Sequence, residues 1–418
     1  MVTKTTTVNH KKKHTNPFQS IYSQPSPGDS TLSIHGGRQA NPYHSITEPI
    51  VQSAAFTFEN TRDLQDFMAQ RLLGENNGRS EYGRYGNPTV FAAEKRLAAL
   101  EFAEDALLFS SGMAAITTTL LAYLSSGDHL VITDDAYRKT RHFCQVTLQK
   151  FGIGCSVVPI GDVNALERAI QSNTNLIYSE TPTNPYLRIL DIERLVEIAK
   201  RQTTLTIIDT TFATPLNFRP LEWGVDLVIH SATKYLAGHN DLLSGVVAGC
   251  INLIAPVREH LGIFGAVPDP HNAGLLLRGL KSLALRIKQQ NQSGQLVAEF
   301  LEAHTAIDRV WYPGLASHPD HTNGLRFFQG FGGVVSFTVK GDLESTSRFI
   351  DALEIPFISA SLGGAESLVS QPAVMTYSEL SRQERLALGI PDNLVRLSLG
   401  IEDTTDLVAD LAQALTQV

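Results

Sequence analysis

Cysteine is scarce in this chain. Its three thiols, Cys144, Cys155 and Cys250, are scattered over 418 residues with no CxxC and no paired spacing. That pattern excludes a disulfide-stapled scaffold and a zinc knuckle, and it fits a reducing compartment. Long hydrophobic runs are missing as well. No segment approaches the roughly 20 apolar residues that span a bilayer, and the N-terminus lacks the apolar core of a secretory signal. A basic stripe is also absent: 34 Lys and Arg stand against 42 Asp and Glu, a formal net charge of -8, whereas a nucleic-acid surface needs concentrated positive charge. No membrane and no nucleic acid is expected as a partner. Small molecules are.

What remains is ordinary folded protein, 43% apolar and 18% charged, and its length calls for a large domain plus a smaller one. Residues 1–30 differ from the rest. The stretch "KTTTVNHKKKHTNPFQSIYSQPSPG" is rich in Lys, Ser, Thr and Pro and has no acid before Asp29, so a disordered tail is expected. Such a composition also suits organelle import, but arginine is missing and the segment is short. A cytoplasmic location is expected, with import disfavoured.

From about 105 to 250, short apolar runs alternate with amphipathic stretches. "HLVIT" (129–133), "CSVVPI" (155–160), "NLIYSE" (175–180), "TLTIID" (204–209) and "DLVIH" (226–230) read as buried strands. Between two of them "DIERLVEIAKRQ" places Ile192, Leu195, Val196 and Ala199 on one helical face, with Asp191 as N-cap. The rhythm is βαβ. It predicts an α/β fold with a mostly parallel central sheet, whose ligands gather beyond the carboxyl ends of the strands.

At those ends the chemistry converges. "TLTIID" ends on Asp209, and "DLVIH" runs directly into Ser231, Thr233 and Lys234. "SSGMAAI" (110–116) opens a helix with small residues, and a helix N-terminus cradles phosphate. Separately, such an Asp caps helices, such a Ser-Ser-Gly merely turns and a lone lysine is solvated. Together, an amine, a carboxylate and a phosphate cradle meet the needs of pyridoxal phosphate: an amine for its aldehyde, an anion for its ring nitrogen and donors for its phosphate.

"EYGRYGNPT" (81–89), "SSGMAAI", "DAYRKTRHF" (135–143), "ETPTNP" (180–185), "IDTTFATP" (208–215), "HSATKYLAGHND" (230–241), "SLGGAESL" (361–368) and "VRLSLGIED" (395–403) together carry a resemblance. The chain from about residue 31 onward resembles the Cys/Met-metabolism family of pyridoxal-phosphate enzymes, and "EYGRYGNPT", "AYRKTR" and "GHND" are most similar to its plant-type cystathionine γ-synthase branch. The resemblance implies an aspartate-aminotransferase-like fold of type I and a homotetramer built as a dimer of dimers.

It also implies roles for residues. Lys234 bonds to the coenzyme and serves as base, Asp209 pairs with the pyridine nitrogen, and Tyr137 stacks on the ring. Gly112, Met113, Ser231 and Thr233 hold the phosphate. Tyr82 and Arg84 reach the phosphate in the neighbouring subunit, so active sites are shared. Ser361 and Arg396 bind the substrate α-carboxylate, and Asn184 lies beside coenzyme and carboxylate. A guanidinium fork suits a carboxylate. A base near the ordinary lysine pKa of about 10.4 would be useless, so burial and the cationic coenzyme are expected to depress it.

The activity implied is γ-replacement, which joins an activated L-homoserine ester to L-cysteine and gives L-cystathionine. Cystathionine γ-lyase or β-lyase chemistry and O-acylhomoserine sulfhydrylation stay open on the same scaffold. So does a regulatory protein that only binds the coenzyme, for which a damaged Lys234 or Asp209 would be expected. The ester, whether phosphate, succinate or acetate, is not fixed by the sequence. Two positions depart from the family pattern: Thr210 stands where Asn commonly follows the aspartate, and Ala360 stands where many relatives carry Glu before the serine.

His318 and His321 in "SHPDH" have a metal-like spacing but no further ligands nearby, so structural roles are expected. His239 is read as a structural histidine. "HGGRQ" and "GFGGVV" lack the context of a nucleotide loop. The expected organisation is a tail at 1–30, an arm with dimer contacts at 31–80, a coenzyme domain at 81–275, and a linking helix with an α+β C-terminal domain at 276–418.

Overall fold

The computed structural model describes residues 27–72 and 78–418. Its larger sheet contains β1 (Asp105–Phe109), β2 (His129–Thr133), β3 (Gly154–Val158), β4 (Thr174–Glu180), β5 (Leu205–Asp209), β6 (Leu227–His230) and β7 (Gly245–Gly249), in the spatial order β1-β7-β6-β5-β4-β2-β3. β3, β2, β4, β5 and β6 pair in parallel, and β7 runs antiparallel to both β6 and β1. β1 therefore has the same sense as the five parallel strands. Their carboxyl ends share one edge of the sheet. Leu130, Leu176, Ile177, Ile207, Ile208, Val228 and Ile229 are fully buried along them, as expected for strands covered on both faces.

The helices form where the sequence pattern asks for them. Ile192–Gln202 buries Ile192, Leu195, Val196, Ile198 and Ala199, and the Asp191 carboxylate accepts from the Arg194 N–H at 3.1 Å. Where a single linking helix is expected, two form, Pro270–Leu280 and Leu283–Ala303. The break has a physical cause. Gly279 packs onto the turn that follows Lys234 so closely that a Cβ there would lie 2.2 Å from the Ala237 carbonyl oxygen. The first helix ends against that turn.

A smaller sheet follows, with β8 (Ile307–Trp311), β9 (Val334–Val339), β10 (Phe357–Ile358), β11 (Leu368–Ser370) and β12 (Leu394–Ser398) in the order β10-β11-β12-β9-β8. It is antiparallel except for β10 against β11. The closing helix Thr404–Ala414 buries Leu407 and Leu411.

Of the expected tail, residues 1–26 lie outside the described residues. Its last two positions are helical, because Asp29–His35 forms a helix that buries Leu32 and Ser33. The Asp29 carboxylate meets Arg219. Composition suggested disorder there, but one apolar anchor and one acid at the helix start suffice when a folded surface is waiting.

Candidate active site

The parallel strands deliver the chemistry at their carboxyl ends. β1 runs into Ser111, whose hydroxyl accepts from the Ala114 N–H at 3.1 Å and starts the helix Gly112–Tyr123. The Gly112 and Met113 N–H groups have no intrahelical partner. Gly112 faces the Ser231 turn, where a Cβ on it would come within 2.9 Å of the Ser231 side chain. A side chain at 112 would fill the corner. Gly112, Met113 and Ser231 thus frame a site suited to an anion. Thr233 is engaged differently: its hydroxyl donates to the Ser244 carbonyl at 3.1 Å and accepts from the Ser244 N–H at 2.9 Å. Holding a phosphate would turn that hydroxyl away from Ser244.

Asp209 ends β5 beside Glu180, its in-register partner on β4. The Thr211 N–H and hydroxyl donate to Asp209 Oδ1 at 2.9 and 2.6 Å, and the Tyr178 hydroxyl donates to Oδ2 at 3.3 Å. Burial pushes the Asp209 carboxyl above the ordinary carboxylate range, and the Thr211 bonds oppose this. Glu180 is pushed well above its ordinary range by burial, with the Asp209 charge adding to it. Adjacent buried carboxyls do not both ionise readily, and the donors around Asp209 make it the one that does. Thr210, the residue that departs from the family pattern, has its hydroxyl 3.3 Å from His230 Nε2, and His230 lies 2.5 Å from Glu101. It makes no hydrogen bond to the Asp209 carboxylate, so the departure spares that group.

Lys234 follows β6 in a turn closed by its own N–H on the Ser231 carbonyl at 3.1 Å. Its Nζ donates to Ser361 Oγ at 2.9 Å. Burial, helped by the Arg396 cation, pulls the Lys234 amine down to about 8. Arg396 projects from β12 and is 7% exposed. Its Nη1 donates to Asn184 Oδ1 at 3.2 Å, and its Nη2 to the Ala360 and Ser361 carbonyls at 3.1 Å each. Its Nε has no partner. A buried guanidinium with an unused donor suits a carboxylate. Tyr137 is held by its backbone N–H on Glu180 Oε2 at 2.8 Å and lines one cavity with Asn184, Tyr377 and Arg396.

The structure therefore brings Lys234, Ser361, Arg396 and Asn184 together, places Tyr137 on a cavity shared with Asn184 and Arg396, and sets Asp209 and the Gly112 corner at the carboxyl ends of β5 and β1 on the same sheet edge. It does not bring Tyr82 and Arg84 to them. Tyr82 is 45% exposed, while Arg84 stacks against Tyr82 and Tyr85 and donates to the Gly262 carbonyl at 2.9 Å. Among the described residues, no hydrogen bond or ring contact ties either to Lys234. The histidines are structural in their contacts: His239 Nδ1 lies 2.7 Å from the Ala237 carbonyl, His318 Nε2 3.1 Å from that of Tyr186, and His321 Nδ1 2.8 Å from that of Pro313.

Sequence reasoning missed Glu180 and Thr211 as members of the site. Both stood inside the quoted stretches, Glu180 at a strand end level with Asp209 and Thr211 two residues after it. The signal was the strand-end rule itself, applied to one carboxylate and not to its neighbour. The donor set fits pyridoxal phosphate: a depressed amine, a hydrogen-bonded carboxylate, a helix start that a Cβ would block, and an arginine with a free donor for the substrate.

Comparisons with known proteins identify the family of the chain. The model of the Cys/Met metabolism PLP-dependent enzymes matches residues 30–416. The chloroplastic cystathionine gamma-synthase 1 of Nicotiana tabacum is 47% identical over 93% of this chain and 72% of its own length. The L-methionine gamma-lyase of Pseudomonas putida is 40% identical over 93% of this chain and 97% of its own. The crystal structure of metB from Corynebacterium glutamicum superposes with a TM-score of 0.86 at 37% identity, covering 94% of this chain and 98% of that one. With a family model that spans residues 30–416 and a fold of type I, the chain belongs to the Cys/Met metabolism family of PLP-dependent enzymes.

Proposed function

We propose that the enzyme catalyses γ-replacement between an activated L-homoserine ester and L-cysteine, giving L-cystathionine. The observation that carries this choice within the family is the greater likeness to a cystathionine γ-synthase, 47% identical, than to a methionine γ-lyase, 40% identical. Intact Lys234 and Asp209 speak against a protein that only binds the coenzyme.

Bound pyridoxal phosphate supplies the electron sink that makes the substrate Cα and Cβ protons removable. Arg396 grips the α-carboxylate, with Ser361 and Asn184 orienting it. The Lys234 amine, once free, takes the Cα proton at Nζ, and its pKa of about 8 leaves a neutral fraction near physiological pH. With the coenzyme bound, the Asp209 anion would keep its ring nitrogen protonated, and Tyr137 would pack against it. Gly112, Met113, Ser231 and Thr233 hold the phosphate. In the overall change the cysteine sulfur bonds to Cγ, the Cγ–O ester bond breaks, and the thiol proton leaves with the released acid.

The same reading makes residues 81–275 the coenzyme domain, 276–418 the linking helix and substrate domain, and 31–80 an arm in dimer contacts. The assembly is a homotetramer, a dimer of dimers in which Tyr82 and Arg84 complete the neighbouring subunit's site. No helix of the described residues is long and apolar enough to cross a membrane, and we place the enzyme in the cytoplasm.

The test is to supply L-cysteine with the phosphate, succinate and acetate esters of L-homoserine side by side and to identify products by mass. Cystathionine is expected, formed fastest from the phosphate ester, as the plant-type wording suggests. A 2-oxo acid released without cystathionine would replace this reading with a lyase.

A further inference from the structure

Two polar side chains one helical turn apart hold backbone that flanks different halves of the site. Arg286 and Gln290 lie on the helix Leu283–Ala303, four residues apart and so on one face, about 6 Å along the axis. Both are buried, at 3% and 0% exposure.

Arg286 holds the lysine side. Its Nη1 donates to the Tyr235 carbonyl at 2.7 Å, its Nη2 to the Gly279 carbonyl at 3.0 Å and its Nε to Ser282 Oγ at 3.0 Å. No acid stands within ion-pair distance among the described residues, and burial pulls its pKa down to about 10. Burying a cation against neutral acceptors alone is unfavourable. What the arrangement secures is the carbonyl immediately after Lys234. The turn wraps so tightly that a Cβ on Gly238, at φ +70°, would lie 2.0 Å from the guanidinium; only glycine combines that φ with that approach.

Gln290 holds the substrate side. Its Nε2 donates to the Gly364 carbonyl at 2.9 Å and to the Leu399 carbonyl at 3.3 Å. Gly364 lies three residues after Ser361, and Leu399 three after Arg396. Both partners are acceptors, which fixes the amide orientation. Its Oε1 is left buried without a partner. An orphaned acceptor lowers stability, so stability alone is a poor account of a glutamine here, whereas holding two carbonyls is a good one. Between the two clamps lies the Lys234 Nζ to Ser361 Oγ contact of 2.9 Å.

We infer that the helix Leu283–Ala303 sets the spacing between Lys234 and the carboxylate-binding pair Ser361 and Arg396, with Arg286 and Gln290 as positioning residues. This rests on the roles given above to Lys234 and Arg396, and is independent of which ester or thiol reacts.

The test uses coenzyme-loaded protein and glycine as an unreactive probe, followed by the absorbance of the bound coenzyme. Gln290→Met keeps the side-chain length and removes both donors. Glycine affinity is expected to fall about tenfold, while the pH midpoint of the absorbance without glycine stays at the wild-type value. Ser361→Ala also weakens glycine binding, and because Gln290 acts through the Ser361 and Arg396 segments, the double variant loses less than the product of the two single losses. Arg286→Lys, with a point charge in place of a fork, is expected to move the absorbance midpoint by about half a pH unit or more. Wild-type glycine affinity in Gln290→Met, losses that multiply in full, or an unmoved midpoint in Arg286→Lys would each overturn the assignment. If Gln290→Met does not fold, Gln290→Asn, too short to reach both carbonyls, is expected to weaken glycine in the same direction. Failure of the cystathionine assay would leave this titration interpretable, so the two readings fail separately.

Discussion

Glu180 and Asp209 stand side by side at the ends of neighbouring parallel strands, in register and both buried. One carboxyl of such a pair carries the negative charge and the other keeps its proton. Asp209 has the Thr211 and Tyr178 donors. Glu180 has the Tyr137 backbone N–H, a bond that a neutral carbonyl oxygen accepts equally well. Glu180→Gln is therefore expected to keep kcat within about threefold of wild type, whereas Glu180→Ala, which frees the Tyr137 backbone, loses about tenfold. Steady-state kinetics of the two variants check this. A glutamine variant as damaged as the alanine one would mean that Glu180 works as an anion.

The lysine makes a prediction about coenzyme-free protein. Its folded pKa of about 8 lies below the unfolded value of about 10.4. Between those values the folded state binds fewer protons, so stability rises with pH across that window, and below pH 8 the full penalty is present. Lys234→Met removes the penalty. The variant is expected to gain about 1–3 kcal/mol at pH 7, a gain that shrinks toward zero by pH 10. Denaturant unfolding of both apoproteins at the two pH values measures it, and an equal gain at both would contradict the depressed amine.

The short helix Asp29–His35 gives a third. Leu32 is buried, Arg96 donates to the Ser33 and Gly36 carbonyls, and Arg219 meets Asp29. Leu32→Ala is expected to cost about 2–4 kcal/mol, while deletion of residues 1–26, a stretch without a periodic apolar face, leaves the melting temperature within about 2 °C. Thermal melts of the two proteins decide it. A large loss in the deletion would assign the basic stretch a packing role.

The larger sheet was legible because its parallel strands are short, mostly apolar and alternate with helical stretches; β2 and β6 end where the sequence pattern said they would. Asp209 and Lys234 were legible for the same reason, since a strand end tells where a side chain emerges. The flanking strands β1 and β7 were not read as a pair. "DALLF" and "GVVAG" are too short to distinguish strand from helix by periodicity, and their pairing is set by contacts between residues about 140 apart in sequence. The Lys234–Ser361 and Arg396–Asn184 contacts also join segments more than a hundred residues apart, and only the family resemblance assigned these residues to one site. Arg286 and Gln290 left no signal at all, because a polar residue inside a helical pattern reads as its wet face until tertiary packing covers it.

The last prediction concerns the residues that this chain does not bring to its own Lys234. Tyr82 and Arg84 lie away from it, with Arg84 held over two tyrosine rings, yet they match the stretch that completes a neighbouring site in the family. If sites are shared as proposed, Arg84→Ala and Lys234→Ala homodimers are each expected to be nearly inactive. A mixed dimer behaves differently. The subunit with intact Lys234 receives intact Arg84 from its partner, so one site is whole while the other carries both defects. Random pairing on co-refolding in equal amounts makes half the dimers mixed, each with one competent site of two, and roughly a quarter of wild-type activity is expected to return. Differently tagged chains verify the mixing, and cystathionine formation reads the recovery. Verified mixed dimers that stay inactive would show that Arg84 serves the subunit it belongs to.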